Sequence, residues 1–285
     1  MTRGNEGTLW IVATPIGNLG DASARALGVL RSVAVIAAED TRHTAQLLAH
    51  FGIRADLVSC HDHNEDEQIP ALLTRLKSGQ DVALVSDAGT PLLSDPGFRL
   101  VHAARAAGVA VRPVPGPCAA IAALSVAGIA CDRFAFEGFL PQRSAARVAA
   151  LEALRGETRT LVFYESKHRI DDMLSDAARV LGAARRAALA RELTKLHETV
   201  LDGTLAELAE RVAGDPEQRL GECVVVIAGA ALEADDSLRE GLRVMQLLLA
   251  EVAPSRAARL AAEITGASRR ALYALLPPSP DNDLP

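Results

Sequence analysis

Aromatic residues are scarce in this chain, which has 285 residues with one Trp, two Tyr and six Phe. The core must therefore be built mainly from Ala, Val, Leu and Ile. The content of 49% hydrophobic and 23% charged residues is ordinary for a soluble globular protein. A chain of this length is expected to form about two domains of ordinary size.

Cysteine is sparse as well, and its spacing argues against a fold held together by disulfides or by a structural metal. The chain contains Cys60, Cys118, Cys131 and Cys223, which are widely separated and form no C-x-x-C pair. A disulfide framework or a structural zinc site is therefore not expected. The short polar N-terminus carries no apolar segment of the signal-peptide type. We expect a cytoplasmic protein.

Long apolar runs and a strong positive charge are also missing. Residues 113–131 carry no charge, but Pro113, Pro115 and Pro117 interrupt the run and leave only residues 118–131 able to form a helix. That length suits a buried core helix better than a membrane span. The formal net charge of −6 argues against nonspecific binding of nucleic acid over the whole surface, although it permits a local basic patch.

The first half of the chain alternates strand-like and helix-like segments. Strands are predicted at residues 9–13, 33–37, 57–59, 82–85 and 109–114, of which the last two are expected to be buried and parallel. Helices are predicted between them at residues 22–30, 44–50, 67–77 and 98–107. This alternation predicts an α/β domain with a mostly parallel sheet.

The second half repeats the pattern after a break at residues 137–141. Strands are predicted at residues 160–164, 187–190, 199–202 and 223–228, with helices at residues 171–181 and 205–212. We therefore predict an N-terminal α/β domain over residues 1–116, a second α/β domain over residues 117–235, and a helical tail over residues 236–285.

The most informative segment follows the strand at residues 82–85 and reads S-D-A-G-T-P-L-L-S-D-P-G. In an open α/β sheet, ligands bind at the carboxyl ends of the strands. Gly89 permits close approach of a ligand to the backbone, and Asp87 is interpreted as a ligand-binding carboxylate. Asp95, with Pro96 after it, is typical of a helix N-cap followed by proline at the first helical position.

The segment P-G-P-C-A-A at residues 115–120 follows the next predicted strand. It predicts a rigid turn into a helix of small residues. Small side chains allow a flat ring such as adenine to lie against the backbone, and they also allow tight packing of the helix on a sheet. Both interpretations remain open for this segment.

Four further polar clusters follow predicted strands: E-D-T-R-H at residues 39–43, H-D-H-N-E at 61–65, Y-E-S-K-H-R at 164–169 and R-E-L-T-K-L-H-E at 191–198. His61, Asp62 and His63 have the side chains of metal ligands, but this spacing without a third assigned ligand is weak support for a metal site. We predict that these clusters form polar walls of a substrate cleft and that no metal is bound.

The tail contains two short helical patterns separated by a turn at Gly266, as in a helix-turn-helix. Residues 255–276 contain one acidic residue, Glu263, and four arginines: Arg256, Arg259, Arg269 and Arg270. Contact with a phosphate backbone is one interpretation. A plain two-helix cap is the other.

Six of these motifs together resemble the ribosomal RNA small subunit methyltransferase I family, within the tetrapyrrole-methylase-like, class III S-adenosylmethionine enzymes. In chain order they read A-A-E-D-T-R-H-T, H-D-H-N-E, S-D-A-G-T-P, P-G-P-C-A-A, F-Y-E-S-x-H-R and A-R-E-L-T-K-x-x-E-T. The resemblance extends over residues 9–228 and continues into the tail.

The resemblance implies methyl transfer from S-adenosylmethionine to the ribose 2′-hydroxyl of a cytidine in the decoding region of 16S rRNA, within the small ribosomal subunit. It also implies two α/β domains with the cofactor in the cleft between them, a homodimer, and no membrane or metal. The cofactor residues that it implies are Asp87, Ala88, Gly89, Pro91, Pro117, Cys118, Ala119, Tyr164, Ala190 and Gly221.

The chemistry of this transfer asks for a base and for cations. The candidate bases or orienting acids are Glu39, Asp40, His61 and Glu165. The candidate phosphate contacts are Arg42, Lys167, Arg191 and Lys195, together with Arg143, Arg147 and the four tail arginines. Two rival functions remain: methylation of a tetrapyrrole or a protein side chain by the same fold, and a non-catalytic nucleic-acid regulator that binds through the tail.

Overall fold

The computed structural model describes residues 6–231 and 234–275. The chain divides at Gly229 into two compact units. The described part of the first unit is built on two five-stranded sheets, and that of the second unit is helical. The predicted domain boundaries at residues 116 and 235 stay predictions. Residues 276–285 of the predicted tail lie outside the described residues.

The first sheet is parallel and has the strand order β3-β2-β4-β1-β5. Its strands are β1 (Thr8–Val12), β2 (Val35–Ala38), β3 (Asp56–Ser59), β4 (Val82–Val85) and β5 (Ala110–Val114). The helices that connect them are α1 (Ala24–Ser32), α2 (Thr41–His50), α3 (Glu65–Lys77) and α4 (Phe98–Ala106). The predicted parallel α/β architecture is confirmed.

Helices cover both faces of this sheet, which explains the continuous apolar runs of β2 and β4. Alternate residues of each strand enter different cores. Leu84 packs with α3 and α4, whereas Val85 packs with α1 and α2. Because the strands of this sheet are parallel, their carboxyl ends all lie at one edge of the sheet, where the loops can form a site.

The second sheet is mixed and has the order β6-β7-β10-β8-β9. Its strands are β6 (Phe134–Phe139), β7 (Thr160–Ser166), β8 (Arg186–Arg191), β9 (Thr199–Thr204) and β10 (Glu222–Ile227). Only β6 and β7 pair in parallel. The helices of this part are α5 (Ala119–Val126), α6 (Ser144–Ala153), α7 (Ile170–Leu181) and α8 (Leu205–Gly214).

Helices α6, α7 and α8 pack on one face of the second sheet around the fully buried Phe163. On the other face, α5 packs its small residues against Val162, Ala188 and Val226. The segment P-G-P-C-A-A thus links the end of β5 to a helix that belongs to the second sheet. The tight-packing interpretation of its small residues is confirmed, because Ala120 and Ala123 are buried there.

Two predictions about strands are wrong. The strand β5 is not buried, because it is the edge strand of the first sheet and only Val114 is fully enclosed. An edge position also accommodates Pro113, which has no backbone N–H to donate. The predicted break at residues 137–141 is largely strand β6, whose register with β7 shifts between Phe136 and Gly138, where Gly138 has a φ of 63°.

The second unit contains α9 (Ala234–Leu248), α10 (Pro254–Thr265) and α11 (Arg269–Ala274). Their core includes Met245, Ala257, Ala261 and Leu272. Gly266, in the left-handed conformation, ends α10, and the Ser268 hydroxyl accepts a hydrogen bond from the Ala271 N–H to begin α11. Among the described residues, no helix is long and apolar enough to cross a membrane.

Candidate active site

A cavity of about 340 Å³ lies between the two sheets of the first unit. One wall, which we call the loop wall, consists of the loops that follow β1, β4 and β5. The other, which we call the strand wall, consists of the ends of β6, β7, β8 and β10 with the loop after β8. The residues that line the cavity are Ile16, Ala88, Gly89, Thr90, Leu93, Ser94, Asp95, Cys118 and Ala119 from the loop wall and Phe139, Tyr164, Glu165, Ser166, Ala190, Leu193, Lys195, Glu222, Cys223 and Val224 from the strand wall.

The three loops of the loop wall are tied to one another by hydrogen bonds. The Thr14 N–H donates to the Gly89 carbonyl at 2.9 Å, and the Gly89 N–H returns a bond to the Thr14 carbonyl at 3.1 Å. The Thr90 hydroxyl donates to the Pro117 carbonyl at 2.9 Å. Gly89 has a φ of 81°, and a Cβ there would lie 3.3 Å from Ile16 Cγ2. The wall is therefore fixed by backbone contacts at close range.

The predicted cofactor residues divide between the cavity and its surroundings. Those that line the cavity are Ala88, Gly89, Cys118, Ala119, Tyr164 and Ala190, and those that do not are Asp87, Pro91, Pro117 and Gly221. The Asp87 carboxylate instead accepts the Asp40 N–H at 3.0 Å. A Cβ on Gly221 would meet the side chain of Glu192, so this glycine permits a close contact beside the cavity.

Aromatic rings gather on the strand wall although the chain has few of them. The Tyr164 ring meets Phe136 and Phe139 edge to face, with centroids 4.9 Å and 5.6 Å apart. The Tyr164 hydroxyl accepts the Ala120 N–H at 3.2 Å. Burial, with the neighbouring Cys118 thiol, raises the pKa of Tyr164 to about 12. Phe139 remains 56% exposed at the cavity.

Glu165 lines the cavity and is held in an ion pair. The Arg169 guanidinium donates to Glu165 Oε2 at 2.9 Å, and the Ser166 N–H donates to Oε1 at 2.8 Å. Arg169 also donates to the Leu140 carbonyl at 2.6 Å. The Glu165 side chain is fully buried, so this pair holds the carboxylate in place within the wall.

Lys195 is fixed by two carboxylates. Its Nζ donates to Glu192 Oε1 at 2.8 Å and to Glu222 Oε2 at 2.7 Å. The surrounding loop contains left-handed backbone at Glu192 (φ 52°) and Thr194 (φ 68°). From the first sheet, Gly17 packs against this lysine so closely that a Cβ would lie 2.5 Å from Lys195 Cγ. The ammonium group is consequently positioned rather than free to move.

Carboxylates also gather at the edge of the first sheet. The Asp87 N–H donates to Glu39 Oε2 at 3.4 Å. Burial raises the pKa of Glu39, and the negative charges of Asp87 and Asp62 act in the same direction. Asp40 behaves differently, because its side chain accepts the Arg42 N–H at 2.8 Å and pairs with the Arg42 guanidinium at 2.7 Å, which holds the pKa of Asp40 well below its usual range. Asp40 caps α2 and is not available as a base.

Asp95 does not cap a helix, contrary to the sequence prediction. Helix α4 begins at Phe98 with Gly97 as its N-cap, and no side chain makes the capping bond. The Asp95 side chain lies on the cavity wall instead. Burial raises the pKa of Asp95 to about 6, and the charges of Glu39, Asp87 and Asp62 contribute in the same direction.

His61 lies outside the cavity lining. Its ring meets that of His63 with centroids 6.0 Å apart, and its Nδ1 is buried without a hydrogen-bond partner. Within residues 6–231 and 234–275, no group of three or more His, Cys, Asp or Glu side chains is arranged to hold a metal ion.

The predicted phosphate contacts differ in accessibility. Arg42 is 88% exposed and Lys167 is exposed. Arg191 is only 6% exposed, and it donates to Thr199 Oγ1 and to the Leu220 carbonyl, so we withdraw it from the RNA contacts. Arg147 is withdrawn for the same reason, because it is buried in an ion pair with Asp176.

In the second unit, the basic side chains remain accessible. Exposed positions are held by Arg256, Arg259, Arg269 and Arg270. Arg259 reaches Glu263 at 3.8 Å, where both side chains are at least half exposed. These arginines lie on α10 and α11, on either side of the Gly266 turn.

Comparison with known proteins identifies the family. The chain matches the family model of tetrapyrrole (corrin/porphyrin) methylases over residues 8–209 and the RsmI C-terminal HTH domain over residues 235–276. It is 60% identical over 267 residues to ribosomal RNA small subunit methyltransferase I of Xylella fastidiosa (strain Temecula1), covering 94% of this chain and 98% of that protein. The protein of the same name from Escherichia coli O157:H7 is 53% identical, with 94% of each chain covered. The chain belongs to the ribosomal RNA small subunit methyltransferase I family.

Solved structures of more distant methyltransferases share the fold. Diphthine synthase has a TM-score of 0.60 at 19% identity, covering 78% of this chain and 90% of that one. Uroporphyrin-III C-methyltransferase from Thermus thermophilus, complexed with S-adenyl homocysteine, has a TM-score of 0.54 at 17% identity, covering 78% and 97%. The predicted tetrapyrrole-methylase fold is confirmed, as is the family resemblance drawn from six motifs.

Eleven of the residues that line the cavity are not among the site residues predicted from the sequence, and Asp95 and Phe139 are two of them. Asp95 was interpreted as a cap, although Ser94-Asp95 repeats the Ser86-Asp87 pair that was assigned to the ligand. Phe139 lay within the supposed break. No strand was predicted beside Phe139, and the only signal was the scarcity of aromatic residues in the chain.

Proposed function

We propose that this methyltransferase uses S-adenosylmethionine to methylate the ribose 2′-hydroxyl of a cytidine in the decoding region of 16S rRNA, in the small ribosomal subunit. The observation that carries the proposal is the cavity between the sheets, whose walls are made by the motifs that define the family resemblance. The relatives that cover nearly the whole chain are named as small-subunit rRNA methyltransferases, which supports the same class of substrate.

The cavity fits S-adenosylmethionine in size and character. A volume of about 340 Å³ falls within the range of small-molecule sites. Ala88, Gly89, Ala119 and Ala190 leave room for a flat base against the backbone, and the bonded loops hold that space open. When bound, this cofactor supplies a methyl group on a sulfonium sulfur.

The protein must then orient the acceptor hydroxyl in line with the departing sulfur. A positioned base assists, because a ribose hydroxyl is a poor nucleophile. Of the candidates predicted from the sequence, Glu165 lies on the wall but is neutralised by Arg169, so it is suited to orienting. Glu39 is close to the loop wall through Asp87, whereas Asp40 and His61 do not line the cavity.

We assign recognition of rRNA to a small number of cationic side chains. Their local positive charge allows a protein with a formal net charge of −6 to bind a polyanionic substrate. These cations are Arg42, Lys167, Lys195, Arg143 and the four arginines of the second unit. The homodimer and the cytoplasmic location implied by the resemblance stay predictions.

The contribution of the second unit is tested by replacing its four exposed arginines with glutamine in the full-length chain. If each arginine contacts a phosphate of a single strand, each contributes about 0.7 to the slope of log affinity against log salt concentration. Replacing all four should therefore reduce the magnitude of that slope by about 3. S-adenosylmethionine affinity should not change. The control replaces Arg31, Arg54, Arg75 and Arg105 of the first unit with glutamine. An unaltered salt slope in the tail variant would favour the plain helical cap.

The decisive experiment combines purified protein, labelled S-adenosylmethionine and small ribosomal subunits from cells that lack this enzyme. Ribonucleosides from the product are separated and identified by mass spectrometry. Labelled 2′-O-methylcytidine supports the proposed reaction. Label in another nucleoside corrects the position of transfer. Cofactor binding without labelled rRNA would direct the search to tetrapyrrole or protein acceptors, and absence of cofactor binding would revive the nucleic-acid regulator.

A further inference from the structure

Asp95 occupies a segment with an unusual backbone. Leu92 and Ser94 adopt left-handed φ values of 75° and 68°, and Gly97 has a φ of 120°. Such values are unfavourable for side chains larger than glycine and persist only where the surroundings impose them. The segment that contains these residues contributes Leu93, Ser94 and Asp95 to the cavity wall. The strained backbone thus holds a carboxylate on the wall of the cavity.

Neither a helix cap nor an ion pair explains the position of the Asp95 carboxylate. Gly97, not Asp95, occupies the N-cap of α4. Among the salt bridges between described residues, none includes Asp95, and a neighbouring serine hydroxyl, that of Ser86, is the group that favours its charged form. The carboxylate is therefore partly buried without a cation to compensate it.

Several other ionisable groups that line the cavity are held in ion pairs or are protonated. Glu165 is paired with Arg169, and Lys195 is paired with Glu192 and Glu222. Burial raises the pKa of Tyr164 and of Cys223 to about 12, so both are protonated near neutral pH. Asp95 differs from all of these, since a carboxylate with a pKa of about 6 is ionised at neutral pH and still accepts a proton readily.

We propose that Asp95 is the general base that accepts the proton of the acceptor hydroxyl. The inference rests on the proposed function. During transfer the hydroxyl oxygen forms a bond to the methyl carbon, and the carbon–sulfur bond breaks with its electron pair staying on sulfur. The O–H proton passes to the Asp95 carboxylate and afterwards to solvent. The sulfonium charge and the carboxylate charge are both neutralised, so the step balances.

The groups that face Asp95 define its pH dependence. They are Glu39 from the end of β2, Asp62 from the loop after β3, Asp87 and Ser86 from the loop after β4, and Tyr164 from β7. Protonation of Asp95 removes the base, so kcat should fall as the pH falls through about 6 and should be level above it.

The test is the full-length Asp95→Asn variant, assayed on small ribosomal subunits with labelled S-adenosylmethionine. We expect kcat to fall by about 100-fold or more at pH 7.5, which is the lower end of the contribution of a general base. The acidic limb of the pH profile should disappear, and cofactor affinity by calorimetry should stay within about threefold. Thermal stability at pH 8 should be unchanged or higher, because a buried, unpaired carboxylate is removed.

Asp66→Asn is the matched control, since Asp66 is 73% exposed and lies away from the cavity, and it should behave as wild type. An Asp95→Asn enzyme with wild-type kcat and an intact acidic limb overturns the proposal. Loss of cofactor binding in that variant also overturns it, because Asp95 would then be a cofactor contact. If the wild-type protein transfers no methyl group to small subunits, both the proposed function and this inference are wrong. If the wild type is active and the Asp95→Asn variant is unaffected, only the role of Asp95 is wrong.

Discussion

The two walls of the cavity carry their charges in opposite ways. On the strand wall each carboxylate has a cation: Glu165 is bonded to Arg169, and Lys195 lies between Glu192 and Glu222. At the loop wall, Asp95 lies near the carboxylates at the edge of the first sheet. Glu39, Asp87 and Asp62 raise the pKa of Asp95 beyond what burial alone does.

This difference separates two tasks within one site. Paired charges hold a fixed geometry, as positioning of a substrate requires. Burial raises the pKa of Asp95 to about 6, and the negative charges of Glu39, Asp87 and Asp62 act in the same direction. The strand wall is therefore suited to orientation and the loop wall to proton transfer.

The largest expected effect comes from breaking the ion pair of the strand wall. Arg169→Ala leaves the fully buried Glu165 carboxylate without its cation. We expect the free energy of unfolding to fall by about 3 kcal/mol, since removal of one partner leaves an uncompensated buried charge. Urea denaturation followed by circular dichroism measures the loss.

Arg186→Ala is the matched control for this variant. Its pair with Asp202 is 3.2 Å long and more than half exposed on both sides, so less than about 1 kcal/mol should be lost. Equal losses for the two variants would mean that the strand wall is not stabilised by its buried pair, and the contrast between the walls would be lost.

Sequence reasoning succeeded where local patterns decide the structure. The apolar run of β4 and the turn residues after it located the loop wall, because a parallel sheet buried on both faces requires such a run and ligands bind beyond it. It failed where tertiary contacts decide. Nothing in the sequence near Arg147 indicates that Asp176, on a different helix, encloses it.

Asp95 illustrates a second reason for failure. An aspartate before proline commonly caps a helix, so the local pattern favours a cap at Asp95. The helix nevertheless begins later, at Phe98, because Gly97 supplies a φ of 120° as its cap. The left-handed values at Leu92 and Ser94 are imposed by the assembled loops and are not coded by those residue types. Departures of this kind concentrate at functional sites.

A smaller effect is expected from the geometry of the loop wall. Gly89→Ala places a methyl group on a backbone with a φ of 81° and brings it to 3.3 Å from Ile16 Cγ2. The left-handed conformation should cost about 1–2 kcal/mol. The bonds between Gly89 and Thr14 should shift as well, so that S-adenosylmethionine binds more weakly by calorimetry.

Gly108→Ala separates these two contributions. Gly108 also has a φ of 81°, and a Cβ there would meet nothing within 4 Å. It should lose similar stability while keeping full cofactor affinity. If both variants lose affinity equally, the loop wall has no special role in binding and the effect is general destabilisation.

The smallest effect tests the coupling between Asp95 and the carboxylates at the edge of the first sheet. Burial raises the pKa of Glu39, so its ionised form is less favourable in the folded state than in the unfolded state. Glu39→Gln should therefore raise the free energy of unfolding by less than about 1 kcal/mol at neutral pH. The gain should vanish below the ordinary pKa of 4.5, where the wild-type side chain is protonated in both states.

Asp40→Asn, at the adjacent position, should act with the opposite sign, because pairing with Arg42 lowers the pKa of Asp40 and its ionised form stabilises the folded state. The asparagine variant should be less stable than wild type at neutral pH, and the difference should shrink as wild-type Asp40 becomes protonated in acid. Glu39→Gln should also move the acidic limb of the kcat profile to lower pH by less than about one unit, since one of the charges that raise the pKa of Asp95 is gone. Equal signs for the two neighbours would contradict the opposite directions in which the fold shifts the pKa values of Glu39 and Asp40, and an unmoved limb would mean that the charge of Glu39 does not act on Asp95.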